Sequence, residues 1–279
     1  MRYSKDPIKG ADMEKTSIAG NGVAALGRAA IDLSRELGRI GLFFVQGAGY
    51  LLIRPWQFDK LLEQIYFIGF KSIFIICLTS AFTGMVLGLQ GYYTLVKFGS
   101  EGMLGAAVAL TLIREMGPVL TAIMVVARAG SAMAAEIGIM RISEQIDALE
   151  TMDIRPVRFL FTPRLAAAVI SFPLLTALFD VIGILGGYVT GSLLLGIHPG
   201  TYFARVESSV VMHDITGGFI KSFCFAVLIT TICCYQGYWT HTRKEGFGAK
   251  GVSLATTSAV VMSCVVVLVA DYALTSFLL

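Results

Sequence analysis

The sequence predicts an all-α membrane protein, and its composition and its apolar segments both indicate this fold class. Of the 279 residues, 56% are hydrophobic and only 15% are charged, and the mean hydropathy is +0.74. A soluble domain is about half apolar and about a quarter charged. Apolar segments of roughly 20 residues, the length that crosses a bilayer as a helix, recur along the chain. We therefore predict several membrane-spanning helices and no large soluble domain.

The order of polar and apolar segments predicts three regions. A polar tail covers residues 1–22, an interfacial amphipathic helix covers 23–55, and a five-span domain covers 60–279. The amphipathic helix carries apolar residues at spacings of three or four with basic residues off that stripe, as in helices that lie in the membrane interface. An ordinary surface helix is the alternative. We expect the spans at about residues 66–92, 104–126, 163–195, 217–239 and 252–278.

The distribution of lysine and arginine predicts the orientation of the spans. The links 128–164 and 239–251 hold eight basic residues, whereas the links 92–104 and 196–216 hold two, Lys97 and Arg205. Cytoplasmic loops carry the excess of basic residues. We therefore expect the links 128–164 and 239–251 and the N-terminus in the cytoplasm, and the C-terminus on the opposite side of the membrane.

Charged residues appear inside the second predicted span. Arg114 and Glu115 lie in an apolar segment, where charge is costly and usually faces a cavity, a partner or water. Gly117 and Pro118 follow, and they predict a kink or hinge because proline removes a helix hydrogen bond. Two interpretations stay open: a structural ion pair that ties helices together, or a polar patch in a cavity that meets a charged headgroup.

A short amphipathic segment separates the second and third predicted spans. Apolar residues at 142, 146, 149 and 152 share one helical face, acidic residues lie on the others, and Ser143 is a candidate N-cap. The segment has about three turns and is too short to cross the membrane. It can lie flat at the membrane surface, or it can dock as a helix in the groove of a partner.

Two further features also have competing interpretations. The spacing of Gly84 and Gly88 in the first span allows close helix packing, either within one subunit or between two copies. Asp180 and Asp271 lie in the third and fifth spans, and each carboxylate can be part of a proton relay or a packed polar contact. A proton relay would indicate a different function, that of a secondary transporter or channel that works without partner subunits. The sequence lacks the internal repeats that are common in secondary transporters.

Several kinds of functional site are absent from the sequence. It has no GxxxxGK[ST] nucleotide loop, no HExxH zinc motif and no GxSxG nucleophile motif. The five cysteines lie in apolar runs without metal-ligand spacing, so we expect buried thiols, not disulfides or ligands. A net charge of +3 is too small to indicate nucleic-acid binding. The sequence therefore predicts a protein that is not an enzyme and that binds no metal.

The family resemblance lies in two stretches, GMVLGLQGY and REMGPVLTAIMVVARAGSAMAAEIGIMRISEQIDALETMDIRPVRFLFTPR. Both resemble the signature regions of the MlaE family. Its members are permease subunits of ABC transporters that move phospholipids between the membranes of Gram-negative bacteria. The resemblance extends to the basic N-terminal helix and the five-span plan. It implies a multi-pass protein of the bacterial inner membrane.

The resemblance also implies partners and site residues. It implies a homodimer with two cytoplasmic MlaF-like ATPases that bind ATP and magnesium, so this chain holds no cofactor itself. It implies a periplasmic MlaD-like protein with a lipid-binding MCE domain, and often an MlaB-like STAS-domain subunit. A phospholipid cavity at the dimer interface would be lined by Arg114, Glu115, Leu87, Leu95 and Phe98. The coupling helix that inserts into the ATPase would comprise Ser143, Glu144, Gln145, Ile146, Asp147, Ala148, Leu149 and Met152.

Overall fold

The computed structural model describes residues 27, 31, 34–50, 58–240 and 248–278. The chain divides into two compact units, Met1–Val45 and Gln46–Leu279. The described residues form helices and no strand, which confirms the all-α class. The first helix, α1, covers residues 34–50, inside the predicted amphipathic segment 23–55. The polar tail 1–22 lies outside the described residues, and a position of α1 in the membrane interface stays a prediction.

Ten further α-helices are described after α1, and short 3-10 or π-helical turns continue several of them. In chain order they are α2 (Phe58–Ile68), α3 (Ile73–Val96), α4 (Leu104–Thr111), α5 (Gly117–Val125), α6 (Ser131–Ile142), α7 (Gln145–Thr151), α8 (Pro156–Tyr188), α9 (Pro199–Ser209), α10 (Met212–Tyr238) and α11 (Ala249–Leu278). The 3-10 turns are Phe70–Ser72 and Glu101–Met103. The π-helical turns are Leu112–Met116, Val126–Gly130 and Val189–Leu194.

Five helical runs in the described part of the chain are long and apolar enough to cross a membrane, as predicted. We call them spans 1 to 5, and they are Phe58–Val96, Glu101–Ile142, Pro156–Leu194, Met212–Tyr238 and Ala249–Leu278. Span 4 is the most enclosed, and it packs against spans 2, 3 and 5. Spans 1 and 5 are the most exposed. Because all backbone hydrogen bonds of a helix are internal, such peripheral helices can face lipid.

Spans 2 and 3 are longer than the apolar segments that predicted them. Span 2 continues as a helix to Ile142, past residue 126, and span 3 begins at Pro156, before residue 163. Charge does not end these helices because the charged groups have partners. The Arg128 guanidinium donates to the Phe67 carbonyl over 2.6 Å, and Arg164 forms an ion pair of 2.9 Å with a glutamate of α6. The expected polar link is therefore helical over most of its length, and only residues 143–155 separate the two spans.

Glycines allow spans 1 and 3 to approach closely. A Cβ atom at Gly84 would overlap the carbonyl group of Gly183, and one at Gly88 would lie 3.1 Å from the carbonyl oxygen of Gly187. A larger side chain at Gly84 has no space without moving the backbone of span 3. The small-residue spacing in span 1 therefore serves packing within one subunit, which is one of the two interpretations that the sequence left open.

The second unit has two ends, which we name after the short helices that lie between spans. The α9 end is the one at α9, between spans 3 and 4, and the α7 end is the one at α7, between spans 2 and 3. At the α9 end, the buried Tyr202 donates its hydroxyl to the Ile184 carbonyl over 3.0 Å, and α9 packs on the start of α4. The sequence did not predict α9 within the 196–216 link. Its N-terminus is capped by His198, whose Nδ1 accepts from the Gly200 N–H over 3.2 Å. At the α7 end, the last turn of span 4 lies beside α7.

Candidate functional site

Arg114 lies in the π-helical turn of span 2 and pairs with Asp214 at the start of span 4. The Arg114 Nε donates to Asp214 Oδ1 over 2.8 Å, and the other carboxylate oxygen accepts from the backbone N–H of Val211 over 3.2 Å. Asp214 is buried, whereas the Arg114 side chain is 45% exposed. A guanidinium has five N–H donors, so this exposed group retains donors for an anion.

Lys221 in span 4 connects spans 2 and 5. Its side chain is 3% exposed. Its Nζ donates to three acceptors, the Arg114 carbonyl (2.9 Å), Glu115 Oε2 (2.8 Å) and Thr275 Oγ1 (2.7 Å). Asp271 Oδ1 lies 3.1 Å from the same Nζ. Asp271 is therefore an ion-pair partner of Lys221, and the three acceptors named above receive the hydrogen bonds of its ammonium group.

Pro118 explains why a lysine bonds to the backbone of a helix. Proline has no N–H, so the Arg114 carbonyl four residues earlier lacks its usual helical donor. The helix is widened at this point, because the Leu112 carbonyl accepts from the Gly117 N–H five residues later. Lys221 supplies the donor that the Arg114 carbonyl lacks. The predicted irregularity at Gly117 and Pro118 is therefore present as a π-helical turn, and its motion as a hinge stays a prediction.

The charged groups line a pocket among spans 2, 4 and 5, on the side of the α9 end. The pocket volume is about 130 Å³, and the lining residues are Arg114, Glu115, His213, Asp214, Gly217, Gly218, Lys221, Thr275 and Leu278. At a rise of about 1.5 Å per residue, Lys221 lies about 14 Å along α10 from its first residue. The charges are thus inside the spans. Ionisable groups in such positions mark a candidate functional site.

The predicted substrate contacts fall into two neighbouring places. Arg114 and Glu115 line the charged pocket, whereas Leu87 and Leu95 line a groove of about 320 Å³ between α3 and α4. The groove is lined by Leu87, Gln90, Gly91, Thr94, Leu95, Ala107, Val108 and Thr111. Thr111 is exposed and lies one helical turn before Arg114 on the same side of span 2. Phe98 is exposed beyond the end of α3 and lines neither cavity.

The predicted coupling segment contains α7, which is shorter than expected. It begins at Gln145, and Glu144 before it has a left-handed backbone conformation with φ 59°. Ser143 was predicted as the N-cap, and this is wrong. Its hydroxyl instead donates to the Ile139 carbonyl over 2.8 Å and belongs to the last turn of α6. A serine hydroxyl can bond back to a helix carbonyl as well as cap the next helix, and the sharp turn at residue 144 favours the first.

One side of α7 is fixed to the rest of the unit and the other is exposed. Ile146 is fully buried, and the Asp147 carboxylate pairs with the Arg141 guanidinium over 2.7 Å. Gln145 and Ala148 are exposed, and Leu149 is half-buried. The predicted apolar face does not extend to Met152, which lies after the helix and is 69% exposed. This arrangement leaves an exposed side of α7 for contact with another molecule.

Sequence analysis missed Lys221. It stood inside the predicted span 217–239, and a lysine in such an apolar segment is itself a signal, because its charge needs a partner there. Asp214 was assigned to the preceding link, whereas span 4 begins at Met212 and contains it. Asp271, one of the two carboxylates with competing interpretations, lies beside Lys221 in the polar cluster.

Asp180, the other of these carboxylates, does not line the pocket. It packs against Gly117, where a Cβ atom would overlap its carboxylate. Among the described residues, its buried Oδ1 has no hydrogen-bond partner. All five cysteines are unbridged, and three of them are only partly buried.

Comparison with known proteins agrees with this architecture. The sequence profile described as Permease MlaE matches residues 61–277. The chain belongs to the MlaE permease family. A Haemophilus influenzae relative named intermembrane phospholipid transport system permease protein MlaE is 44% identical, over 92% of this chain and 97% of its own. A Rickettsia bellii relative named probable ABC transporter permease protein is 38% identical, over 90% of this chain and 95% of its own.

A further relative is the Arabidopsis thaliana chloroplastic protein named trigalactosyldiacylglycerol 1. It is 37% identical over 77% of this chain and 60% of its own length. The family assignment confirms the resemblance that the sequence motifs indicated, and it confirms a permease and not an enzyme. The matched residues 61–277 include the charged residues of the pocket, the groove and α7, so all three belong to the family's common region.

Proposed function

We propose that this MlaE-family chain is the membrane subunit of an ABC transporter that moves phospholipids between the inner and outer membranes of a Gram-negative bacterium. The observation that carries the proposal is the charged pocket inside an apolar five-span unit. A phospholipid needs both charged contacts for its headgroup and apolar walls for its acyl chains. The name of the Haemophilus influenzae relative, an intermembrane phospholipid transport permease, supports this substrate.

The lipid headgroup is proposed to meet Arg114. Its guanidinium is partly exposed and can form paired hydrogen bonds with a phosphate. The acyl chains would then lie along the groove lined by Leu87 and Leu95, whose edge residue Thr111 is one turn from Arg114. Two copies of the chain are proposed to close this groove at a homodimer interface, with the exposed Phe98 at its rim.

The exposed side of α7 is the proposed contact with a separate, MlaF-like ATPase that binds ATP and magnesium. α7 is anchored to span 2 by the ion pair between Asp147 and Arg141. A push on α7 would therefore act directly on α6, and through span 2 on the π-helical turn that contains Arg114 and Glu115. Gly117 and Pro118 are the proposed hinge in this path.

The excess of basic residues in the links at the α7 end supports a cytoplasmic position for that end. The N-terminus is then cytoplasmic, and the α9 end and the C-terminus face the periplasm. We place an MlaD-like MCE-domain protein at the α9 end. An MlaB-like STAS-domain subunit is a further proposed partner.

Lipid transfer by the reconstituted transporter tests the proposal. The chain is placed in donor vesicles together with the ATPase that co-purifies with it, and ATP-dependent transfer of a labelled phospholipid to acceptor vesicles is measured. Because Arg114→Ala alone would leave Asp214 buried without its partner, we choose the paired variant Arg114→Gln with Asp214→Asn. We expect at least about a tenfold loss of transfer, since a charge-assisted contact to phosphate contributes about 1.5–3 kcal/mol.

The matched control is Lys97→Ala, which removes a positive charge from an exposed position at the α9 end. It should transfer lipid at the wild-type rate. Glu144→Lys at the exposed start of α7 should lower ATP-dependent transfer while bound lipid stays unchanged. The proposal is wrong if no ATPase co-purifies with the chain, or if the paired pocket variant transfers lipid as well as Lys97→Ala does.

A further inference from the structure

The charged groups around the pocket do not balance. Among the described residues of this cluster, two cations, Arg114 and Lys221, stand against three carboxylates. Arg114 is balanced by its pair with Asp214. Lys221 stands alone between Glu115 and Asp271, at 2.8 Å and 3.1 Å. When all five groups are ionised, the cluster has one negative charge in excess.

Hydrogen bonds do not compensate this excess charge. The three donors of Lys221 go to other acceptors, and Asp271 Oδ1 is buried without a hydrogen-bond partner in the described part of the chain. Glu115 is 42% exposed and lines the pocket together with Asp214, and Asp214 is already paired with Arg114. Unbalanced charge within a membrane span is unfavourable unless another charge neutralises it. The cluster therefore favours a ligand that brings positive charge to Glu115.

We propose that the pocket selects phospholipids whose headgroup carries an ammonium group over phospholipids whose headgroup carries only the negative phosphate. The phosphate would meet Arg114, and the ammonium would meet Glu115, the next residue in the same π-helical turn. A headgroup without an ammonium would add a second negative charge to a cluster that already has one in excess. This inference rests on the proposed function and adds the headgroup class to it.

The lipid that stays bound to the full-length chain tests the selectivity. The chain is reconstituted in vesicles with equal amounts of phosphatidylethanolamine and phosphatidylglycerol, at one fixed pH for all variants. It is then extracted in mild detergent, and the bound lipid is quantified by mass spectrometry. We expect at least about a fivefold preference for phosphatidylethanolamine, the scale expected for unit charges about 8 Å apart in a partly wet site.

Three variants test the cause of the preference. Asp271→Asn removes the excess negative charge from the buried side of the cluster, and Glu115→Gln removes it from the exposed side. In each variant, the ratio of bound phosphatidylethanolamine to bound phosphatidylglycerol should come to within about twofold of the ratio in the vesicles. Glu101→Gln is the matched control. It removes a carboxylate from an exposed turn at the α9 end, outside the pocket, and should keep the wild-type preference.

The outcomes separate this inference from the proposed function. A wild-type chain that retains phospholipid at the bulk ratio overturns the selectivity alone. A preference that persists in both pocket variants overturns the excess charge as its cause. A wild-type chain that retains no phospholipid overturns the proposed function, and the headgroup selectivity fails with it. Thermal unfolding of each variant in detergent identifies a folded protein, and at least one of the two pocket variants must be folded for the comparison.

Discussion

Two charged regions of the five-span unit, the cluster around Lys221 and the contact between α6 and α7, enclose their ion pairs differently. Toward the α9 end, Lys221 is 3% exposed and joins spans 2 and 5 through Glu115 and Asp271. At the α7 end, Arg141 is 15% exposed and joins α6 to α7 through Asp147, whose side chain is 54% exposed. An enclosed charge needs matched partners, because losing its hydration is costly, whereas an exposed pair contributes little. The first region is therefore built as a fixed polar site, and the second as a surface.

The largest predicted effect tests this contrast directly. Lys221→Met keeps much of the side-chain volume but leaves two carboxylates without their shared cation and the Arg114 carbonyl without its donor. We expect a loss of about 3–5 kcal/mol in the free energy of unfolding, as for a buried ion pair broken on one side. Denaturant unfolding in detergent micelles, followed by tryptophan fluorescence or circular dichroism, measures it.

The matched variant at the other end is Arg141→Met. It removes one cation from an ion pair whose carboxylate is 54% exposed, and we expect the loss of this pair to cost about 1 kcal/mol or less. If the two methionine variants unfold at the same denaturant concentration, the distinction between an enclosed and an exposed charged region is wrong.

The second prediction sharpens the comparison within the α7 end. Ile146 is fully buried, whereas Met152 is 69% exposed. Ile146→Ala should lose about 2–4 kcal/mol, because it leaves a cavity under α7. Met152→Ala should change stability by less than about 0.5 kcal/mol. Hydrogen exchange of the amides of α7 measures both, and faster exchange is expected only in the Ile146 variant.

The same two variants also bear on the surface role of α7. If the exposed side contacts an ATPase, Met152→Ala should weaken co-purification of that ATPase although α7 stays folded. Equal exchange in the two variants would mean that α7 is not anchored by its buried face.

The sequence predicted the fold class and the number of spans because hydropathy over a whole segment decides both. It was less informative about where helices end. Arg128 and Arg164 suggested a polar link, yet both lie in helices. Arg128 donates to a backbone carbonyl of α2, and Arg164 pairs with a glutamate of α6. Such partners depend on how the spans pack. A single sequence read segment by segment does not reveal that packing.

The candidate site could be predicted only in part for the same reason. Arg114 and Glu115 attracted attention because two charges stand next to each other before Gly117 and Pro118. Lys221 is separated from Glu115 by 106 positions, and its contacts arise only when span 4 packs on span 2. The charge of Lys221 in an apolar segment could have been noticed, but its partners could not.

The two ends of α7 could not be predicted because each depends on a choice between two local conformations of similar energy. Ser143 can bond forward as an N-cap or backward to α6, and the positive φ at Glu144 decides for the backward bond. The prediction that Met152 shares an apolar helical face with Ile146 and Leu149 assumed that the helix continues through it. Because the helix ends at Thr151, the periodicity no longer applies to Met152.

The smallest predicted effect concerns a single hydroxyl of span 5. Thr275 Oγ1 accepts from Lys221 over 2.7 Å and lies within 3.2 Å of Glu115 Oε1, so it connects two charged groups of the pocket. Thr275→Val keeps the shape of the side chain and leaves one Lys221 donor without its acceptor. We expect a loss of about 0.5–1.5 kcal/mol, the usual net value of one hydrogen bond in a folded protein. The measurement is denaturant unfolding, as for Lys221→Met.

The control for this last prediction lies in the same helix. Thr257 is exposed, and its hydroxyl donates to the Ser253 carbonyl over 3.0 Å. Thr257→Val should change stability by less than about 0.5 kcal/mol, because surface substitutions away from special features have effects of this size. Thr275→Val changes no charge, so it should also keep the preference for an ammonium headgroup. If Thr275→Val and Thr257→Val lower the free energy of unfolding equally, hydrogen bonds in the enclosed region add no more stability than those on the surface of the same span.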